Sequence, residues 1–264
     1  MPGDPLNIQT SIRLMGRAPD LSDQIAVVTG GSRGIGSSIV RHLAERGASV
    51  FFTYSSSVEE AHRLETELTN DGLAGRAINA DASSSSEVRG AIIRVAGSCG
   101  RINILINNAG FAAAGPIETY DLAILERMIA VHVRAPFVSI REALPFMPAG
   151  GRIVNVGSIS SDYMPHVGQA AYSMTKAALK GLTRGLAREL GSKGITINTV
   201  QPGRIDTDLL HEIYGSSFER AAQSMPLQRF GTTDEVADLV VYLCSSAAAY
   251  ITGADIRIDG GVSA

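Results

Sequence analysis

The chain predicts an α/β fold: a single domain built on a doubly wound parallel sheet of seven strands, with helices on both faces. Three observations point there. Short apolar runs alternate with helical stretches of about 10–15 residues, the rhythm of βαβ units. Several runs are apolar on both faces, as strands are when helices cover each side of a sheet. The first run ends in glycines where a strand turns into a helix, a place that needs tight turns.

Ile25–Thr29 is short, apolar and β-branched, and reads as a buried strand. Ile35–Arg46 is helical, because Ile35, Ile39 and Leu43 recur every four residues, and Gly47 stops it. Ser49–Tyr54 is a strand rich in aromatic and β-branched residues. Glu59–Asp71 is a helix, Arg76–Ala80 a strand ending at Asp81, and Glu87–Ala96 a helix. Ile102–Ile106 is a strand ending at Asn107, followed by two helical stretches, Leu122–Val133 and Phe137–Met147. Arg152–Val156 is a strand, Ala170–Leu190 a long helix, and Thr196–Val200 and Asp255–Ile258 the last strands. No linker divides residues 21–264. Residues 206–230 break the rhythm with Gly215, Ser216, Ser217 and Pro226, and read as an excursion of the kind that carries binding residues.

Composition narrows the class. The 264 residues suffice for one large domain with a substantial core. Hydrophobic content of 45% and charged content of 19% describe a well-packed soluble protein. A net charge of −3 suggests no nucleic-acid surface. No apolar run is long enough for a membrane span. Cys99 and Cys244 are far apart, form no metal motif and read as reduced, which points to a cytoplasmic location. Residues 1–20 lack the apolar core of a secretion signal. With Pro2, Pro5, Pro19, Arg13 and Arg17 they read as a flexible extension.

Gly30, Gly34 and Gly36, with Ser32, Arg33 and Ile35 between them, sit at the first strand-to-helix junction. Small residues let the backbone approach a pyrophosphate, and the helix start supplies free N–H groups. The loop lacks the Gly-Lys-Ser/Thr ending of a nucleotide-triphosphatase. The second strand ends in Tyr54-Ser55-Ser56, with no acid before Glu59. A carboxylate there would suit NAD, whereas hydroxyls and Arg33 suit the 2′-phosphate of NADP. The alternative for Arg33 is a solvent-facing side chain. Asp81 and Ala82 fall at the adenine end, and Asn108, Ala109 and Gly110 follow a strand end near the cofactor.

Tyr172 and Lys176 are four residues apart on one helix and share a face. A nearby ammonium favours the phenolate and eases proton transfer. Ser158 follows a strand, and its hydroxyl can hydrogen-bond a substrate oxygen where charge develops. A hydride carrier beside a proton donor implies a carbonyl/alcohol oxidoreductase.

These motifs, with Asn107-Asn108-Ala109-Gly110, Pro202-Gly203 and Thr207, resemble the short-chain dehydrogenase/reductase family over residues 21–264. The resemblance implies a Rossmann fold and an NADP-dependent ketone reduction with Tyr172 as acid/base. It implies that Lys176 binds the nicotinamide ribose and lowers the tyrosine pKa, and that Ser158 orients the carbonyl. Asn107 and Gly110 would line the cofactor cleft, with Pro202, Gly203, Ile205 and Thr207 also on the cofactor. The family commonly has asparagine where this chain has His132. Two readings stand for His132, a retained proton relay or packing against the strand-end turn.

The closest likeness is to 3-oxoacyl-[acyl-carrier-protein] reductases and to polyketide and naphthol ketoreductases. The stretch Val200–Asp208 also resembles a regulatory member that binds a cyclic dinucleotide, which supplies a non-catalytic alternative. The substrate is expected to be a partly apolar carbonyl compound, met by Ser158, Ser160, Met164, Arg204, Leu209 and Tyr214. The excursion's apolar residues either line the pocket or form core, and Arg204 either meets an acidic group or is solvated. The family commonly assembles as a homotetramer, with a homodimer the alternative. Leu179 and Tyr250 are among the residues compatible with such contacts.

Overall fold

The computed structural model describes residues 20–264, so the extension expected over residues 1–20 lies outside the described residues but for Asp20. Seven strands form one sheet: β1 (Ile25–Thr29), β2 (Ser49–Tyr54), β3 (Gly75–Asn79), β4 (Ile104–Asn107), β5 (Arg152–Val156), β6 (Thr196–Pro202) and β7 (Asp255–Ile258). All pairs are parallel, in the order β3-β2-β1-β4-β5-β6-β7. The order reverses between β1 and β4. That switch opens a crevice outside the carboxyl ends of the strands, where ligands bind in such sheets.

The helices are α1 (Gly34–Glu45), α2 (Val58–Asn70), α3 (Ser85–Cys99), α4 (Leu122–Ile129), α5 (Ala135–Ala143), α6 (Ala170–Leu190), α7 (Asp208–Tyr214), α8 (Phe218–Gln223) and α9 (Thr233–Cys244). They cover both faces. Ile104 and Ile106 of β4 join a core with Ile39 and Leu43 of α1, Leu68 of α2 and Val240 of α9. Leu105, between them, points the other way, into a core with Ile92 of α3, Ile140 of α5 and Leu190 of α6. Period-two alternation on a fully buried strand thus feeds two cores at once. Each such aliphatic side chain contributes roughly 1.5–3 kcal/mol relative to exposure.

The structure differs from the sequence reading in three places. Helix α9 was not anticipated, although its signal is present. Thr232 and Glu235 form a reciprocal capping box, followed by the buried Val236, Val240 and Val241. Next, the helical stretches around residues 122–147 are one rod interrupted by a π turn at Ala130–Arg134. Pro136 has no N–H for the His132 carbonyl four residues back, and the turn widens so that Ala135 bonds Ala130 instead. Finally, the excursion carries α7 and α8 and an apolar cluster of its own, with Leu210, Tyr214 and Phe218 against Ala222, Met225 and Phe230. Leu179 is buried within the chain, whereas Tyr250 is fully exposed. Among the described residues no helix is long and apolar enough to cross a membrane.

Candidate active site

The glycine loop is built for close backbone approach. Gly30 has φ +65°, and a side chain on Gly36 would place its Cβ 2.1 Å from the Gly30 carbonyl oxygen. Arg33, the residue before α1, makes no side-chain capping bond, and the first turn holds no acid. The leading N–H groups of α1 are therefore left without a side-chain acceptor at the positive end of the helix dipole. A cradle with no room for a Cβ, opening onto unengaged donors, fits a dinucleotide's pyrophosphate.

Neighbouring elements are fastened to this loop. The Thr29 hydroxyl accepts the backbone N–H groups of Asn108 (3.0 Å) and Ala109 (3.1 Å). The Asn108 amide donates to the Gly30 carbonyl at 2.7 Å. Gly34 lies against Thr207, whose methyl would be 3.7 Å from an added Cβ. At the end of β2, Tyr54 is buried with its ring edge-on to His62, while Ser55, Ser56 and Arg33 are exposed. Asp81 accepts the Ser83 N–H at 2.8 Å, and Ala82 packs against Val88, Ala135 and Val138.

Tyr172 and Lys176 share a face of α6, with the Lys176 ammonium 5.9 Å from the centre of the Tyr172 ring. The ammonium donates to the Val156 carbonyl at 3.0 Å. Ser158, just past β5, donates to the Ser160 hydroxyl at 3.0 Å and accepts the Ser160 N–H at 3.2 Å. The Ser173 hydroxyl reaches the Ser160 carbonyl at 2.5 Å and ties α6 to this turn. Burial raises the Tyr172 phenol above its ordinary value, and a hydrogen bond with Ser158 opposes that rise. Burial also lowers the Lys176 ammonium to about 8.

The resemblance implied a tyrosine pKa lowered by Lys176. Here burial raises it, and a hydrogen bond with Ser158 opposes the rise. A phenol that keeps its proton is the form needed to donate one.

His132 is 1% exposed and lies at the middle of the π turn. Its Nε2 accepts the Phe111 N–H at 3.2 Å, so the ring proton is on Nδ1, which donates to the Thr175 hydroxyl at 2.9 Å. That hydroxyl in turn donates to the Tyr172 carbonyl at 3.0 Å. Both nitrogens are thus engaged in clamping the strand-end turn to α6. Burial, helped by the Lys176 charge, pushes the imidazole down to about 3.

The folded value lies below the ordinary 6.5, so the unfolded chain binds the extra proton between them. This contribution to stability is complete above pH 6.5 and is lost as pH falls toward 3. The expected slope from this one group is about 1.4 kcal/mol per pH unit. Urea midpoints at neutral and acidic pH should show a shallower decline for His132→Gln. An unchanged slope would mean that His132 is not held neutral.

Sequence reading missed a buried polar chain under the site. Ser139 donates to Asn107 at 2.5 Å, Asn107 to Asn155 at 2.8 Å and Asn155 to Thr183 at 2.9 Å, and Thr183 bonds Thr199 at 2.7 Å. The Asn107 side chain therefore braces β4 against β5. Polar residues within apolar strands were the available signal, since buried polar groups need partners.

At the far wall, Ile205 is buried and bridges Gly231, while Pro202 and Gly203 close β6 against β7. Ser160 and Met164 are half-buried, and the side chain of Leu209 lies outside the described residues. Tyr214 stacks on Phe230, centroids 5.7 Å apart, within the excursion's own cluster. Among the described residues no group of His, Cys, Asp and Glu is placed to hold a metal ion.

A parallel sheet with a glycine cradle at its switch point and a Ser/Tyr/Lys set beside it defines a dinucleotide-linked oxidoreductase, and the chain belongs to the short-chain dehydrogenase/reductase family. A family profile described as enoyl-(acyl carrier protein) reductase matches residues 30–263. The chain is 40% identical to a cyclic-di-GMP-binding biofilm dispersal mediator protein of Escherichia coli, over 90% of this chain and 96% of that protein. It is 36% identical to a 3-oxoacyl-[acyl-carrier-protein] reductase of Staphylococcus aureus, over 90% and 97%. A Serratia marcescens short-chain dehydrogenase/reductase superposes with TM-score 0.88 at 43% identity, covering 92% of this chain and 99% of that one. A blue fluorescent protein from a metagenomic library, in complex with NADPH, superposes with TM-score 0.89 at 42% identity, covering 93% and 100%.

Proposed function

We propose that the protein is an NADP-dependent ketoreductase that reduces a ketone to a secondary alcohol. The observation that carries this reading is the convergence of Ser158, Tyr172 and Lys176 beside the glycine cradle, with the phenol held protonated. NADPH, when bound, supplies the hydride. The cradle of Gly30, Gly34 and Gly36 holds its pyrophosphate. Arg33, Ser55 and Ser56 meet the 2′-phosphate, for which no carboxylate competes before Glu59. The NADPH complex of the metagenomic relative supports that choice.

Tyr172 gives its proton to the carbonyl oxygen as charge builds there. Ser158 donates a hydrogen bond to the same oxygen. Lys176 supplies positive charge near the phenol and stabilises the phenolate left behind. His132, with both nitrogens engaged, holds the turn that carries Gly110 and Phe111.

The test is NADPH oxidation across diketones, quinones and β-ketoacyl thioesters. Turnover of at least one class, with NADPH preferred to NADH, is the expected result. A second reading rests on the biofilm dispersal relative: a non-catalytic protein that binds a cyclic dinucleotide. No turnover of any carbonyl compound, together with tight cyclic-dinucleotide binding, would replace the first reading with the second.

A further inference from the structure

Arg204 follows Gly203 at the carboxyl end of β6, the strand paired with the one that leads to Ser158. Ser161, in the turn after Ser158, bonds Gln201 at 3.1 Å, so the two strand ends are joined at this rim. The Arg204 guanidinium links the β5–α6 loop to the excursion. One Nη donates to His166 Nε2 on the β5–α6 loop at 2.9 Å, and the other points to the Met225 sulfur at 3.7 Å. Its carbon lies 5.5 Å from the centre of the Tyr214 ring in the excursion.

Every one of these partners accepts without supplying a negative charge. An imidazole nitrogen that accepts from a guanidinium is neutral, and a thioether and a phenol ring are neutral too. Among the described residues no carboxylate pairs with Arg204, and the nearby Asp206 is paired with His211 at 2.8 Å. Arg41, Arg184 and Arg229 are matched to acids, whereas Arg127 lies over the Phe111 ring and Arg134 and Arg152 donate to backbone carbonyls. Arg204 differs from these in being held by side chains of two separate loops.

We propose that Arg204 is a specificity-determining residue that binds the anionic group of a carboxylate-bearing ketone. A guanidinium already oriented by three neutral contacts keeps both its charge and its planar fork for a ligand's oxygens. Little ordering remains to be done when the ligand arrives. The substrate class rests on the ketoreductase reading, whereas the anion site itself does not.

The test separates the two. Straight-chain methyl keto acids of graded length, and their methyl esters, are titrated calorimetrically into protein saturated with NADP+, where no reduction takes place. At the best length the acid should bind about tenfold tighter than its ester, as a charge-assisted pair provides. The preference should shrink with added salt. Arg204→Gln removes the charge together with the terminal Nη groups that reach His166 and Met225, and it should bring the acid-to-ester ratio near one. Arg204→Lys should restore part of it.

An equal affinity for acid and ester in the wild type, or a ratio unchanged in Arg204→Gln, overturns the proposal. If the acid preference depends on Arg204 while no ketone oxidises NADPH, the anion site stands and the reductase reading falls.

Discussion

Tyr172→Phe should bind NADPH about as well as the wild type and lose ketone reduction by about a hundred- to ten-thousandfold in kcat. The substitution removes one hydroxyl and keeps the ring. That ring packs edge-on to His132 with centroids 5.7 Å apart, a contact phenylalanine reproduces. Its backbone carbonyl still accepts the Thr175 hydroxyl, so the clamp through His132 survives. What disappears is the proton donor and its hydrogen bond with Ser158. Stopped-flow reduction and a fluorescence titration of NADPH read the two quantities separately. Retained turnover would mean that the proton comes from elsewhere, and the assigned chemistry would fail.

Gly36→Ala should weaken NADPH binding by about ten- to a hundredfold, the effect of roughly 1.4–2.8 kcal/mol. Its Cβ would lie 2.1 Å from the Gly30 carbonyl and 2.6 Å from the Asn108 amide nitrogen. Neither is the free end of a flexible side chain, because the Asn108 amide is bonded to that same carbonyl at 2.7 Å. The loop must shift, the Asn108 bond must lengthen, and the phosphate donors of α1 move with them. Overpacking of this kind costs about 1–3 kcal/mol of stability as well. Gly97→Ala is the control, since an added Cβ there meets nothing within 4 Å. That helix position should gain up to about 1 kcal/mol from alanine, with NADPH affinity untouched. Equal NADPH affinity in Gly36→Ala and the wild type would remove the cradle from the account.

Local patterns were most legible where one physical requirement dominated. Buried strands announce themselves by apolar β-branched runs, and all seven were placed within a residue or two at each end. Helix α9 carries its own start signal, the capping box of Thr232 and Glu235, directly after the irregular residues 206–230. The sequence suggests two helical stretches either side of Pro136, a helix breaker. A widened turn absorbs that proline within a continuous helix.

Side-chain roles were legible only in part. Asn107 belongs to a recognisable motif, but its place in a chain with Ser139, Asn155 and Thr183 joins four elements that are distant in sequence. The sequence leaves Arg204 either acid-binding or solvated, and only the tertiary structure shows that His166, Tyr214 and Met225 surround it.

Spacing alone determined the alternating elements, the glycine turn at the first junction and the shared face of Tyr172 and Lys176. Each follows from helix and strand periodicity or from backbone sterics within a few residues. Folding decided the rest: that Tyr172 retains its proton, that His132 is a neutral clamp, and that Arg204 meets no carboxylate among the described residues. These depend on desolvation and on partners from remote segments. No stretch of chain carries its own dielectric surroundings; they exist only once the segments have packed together.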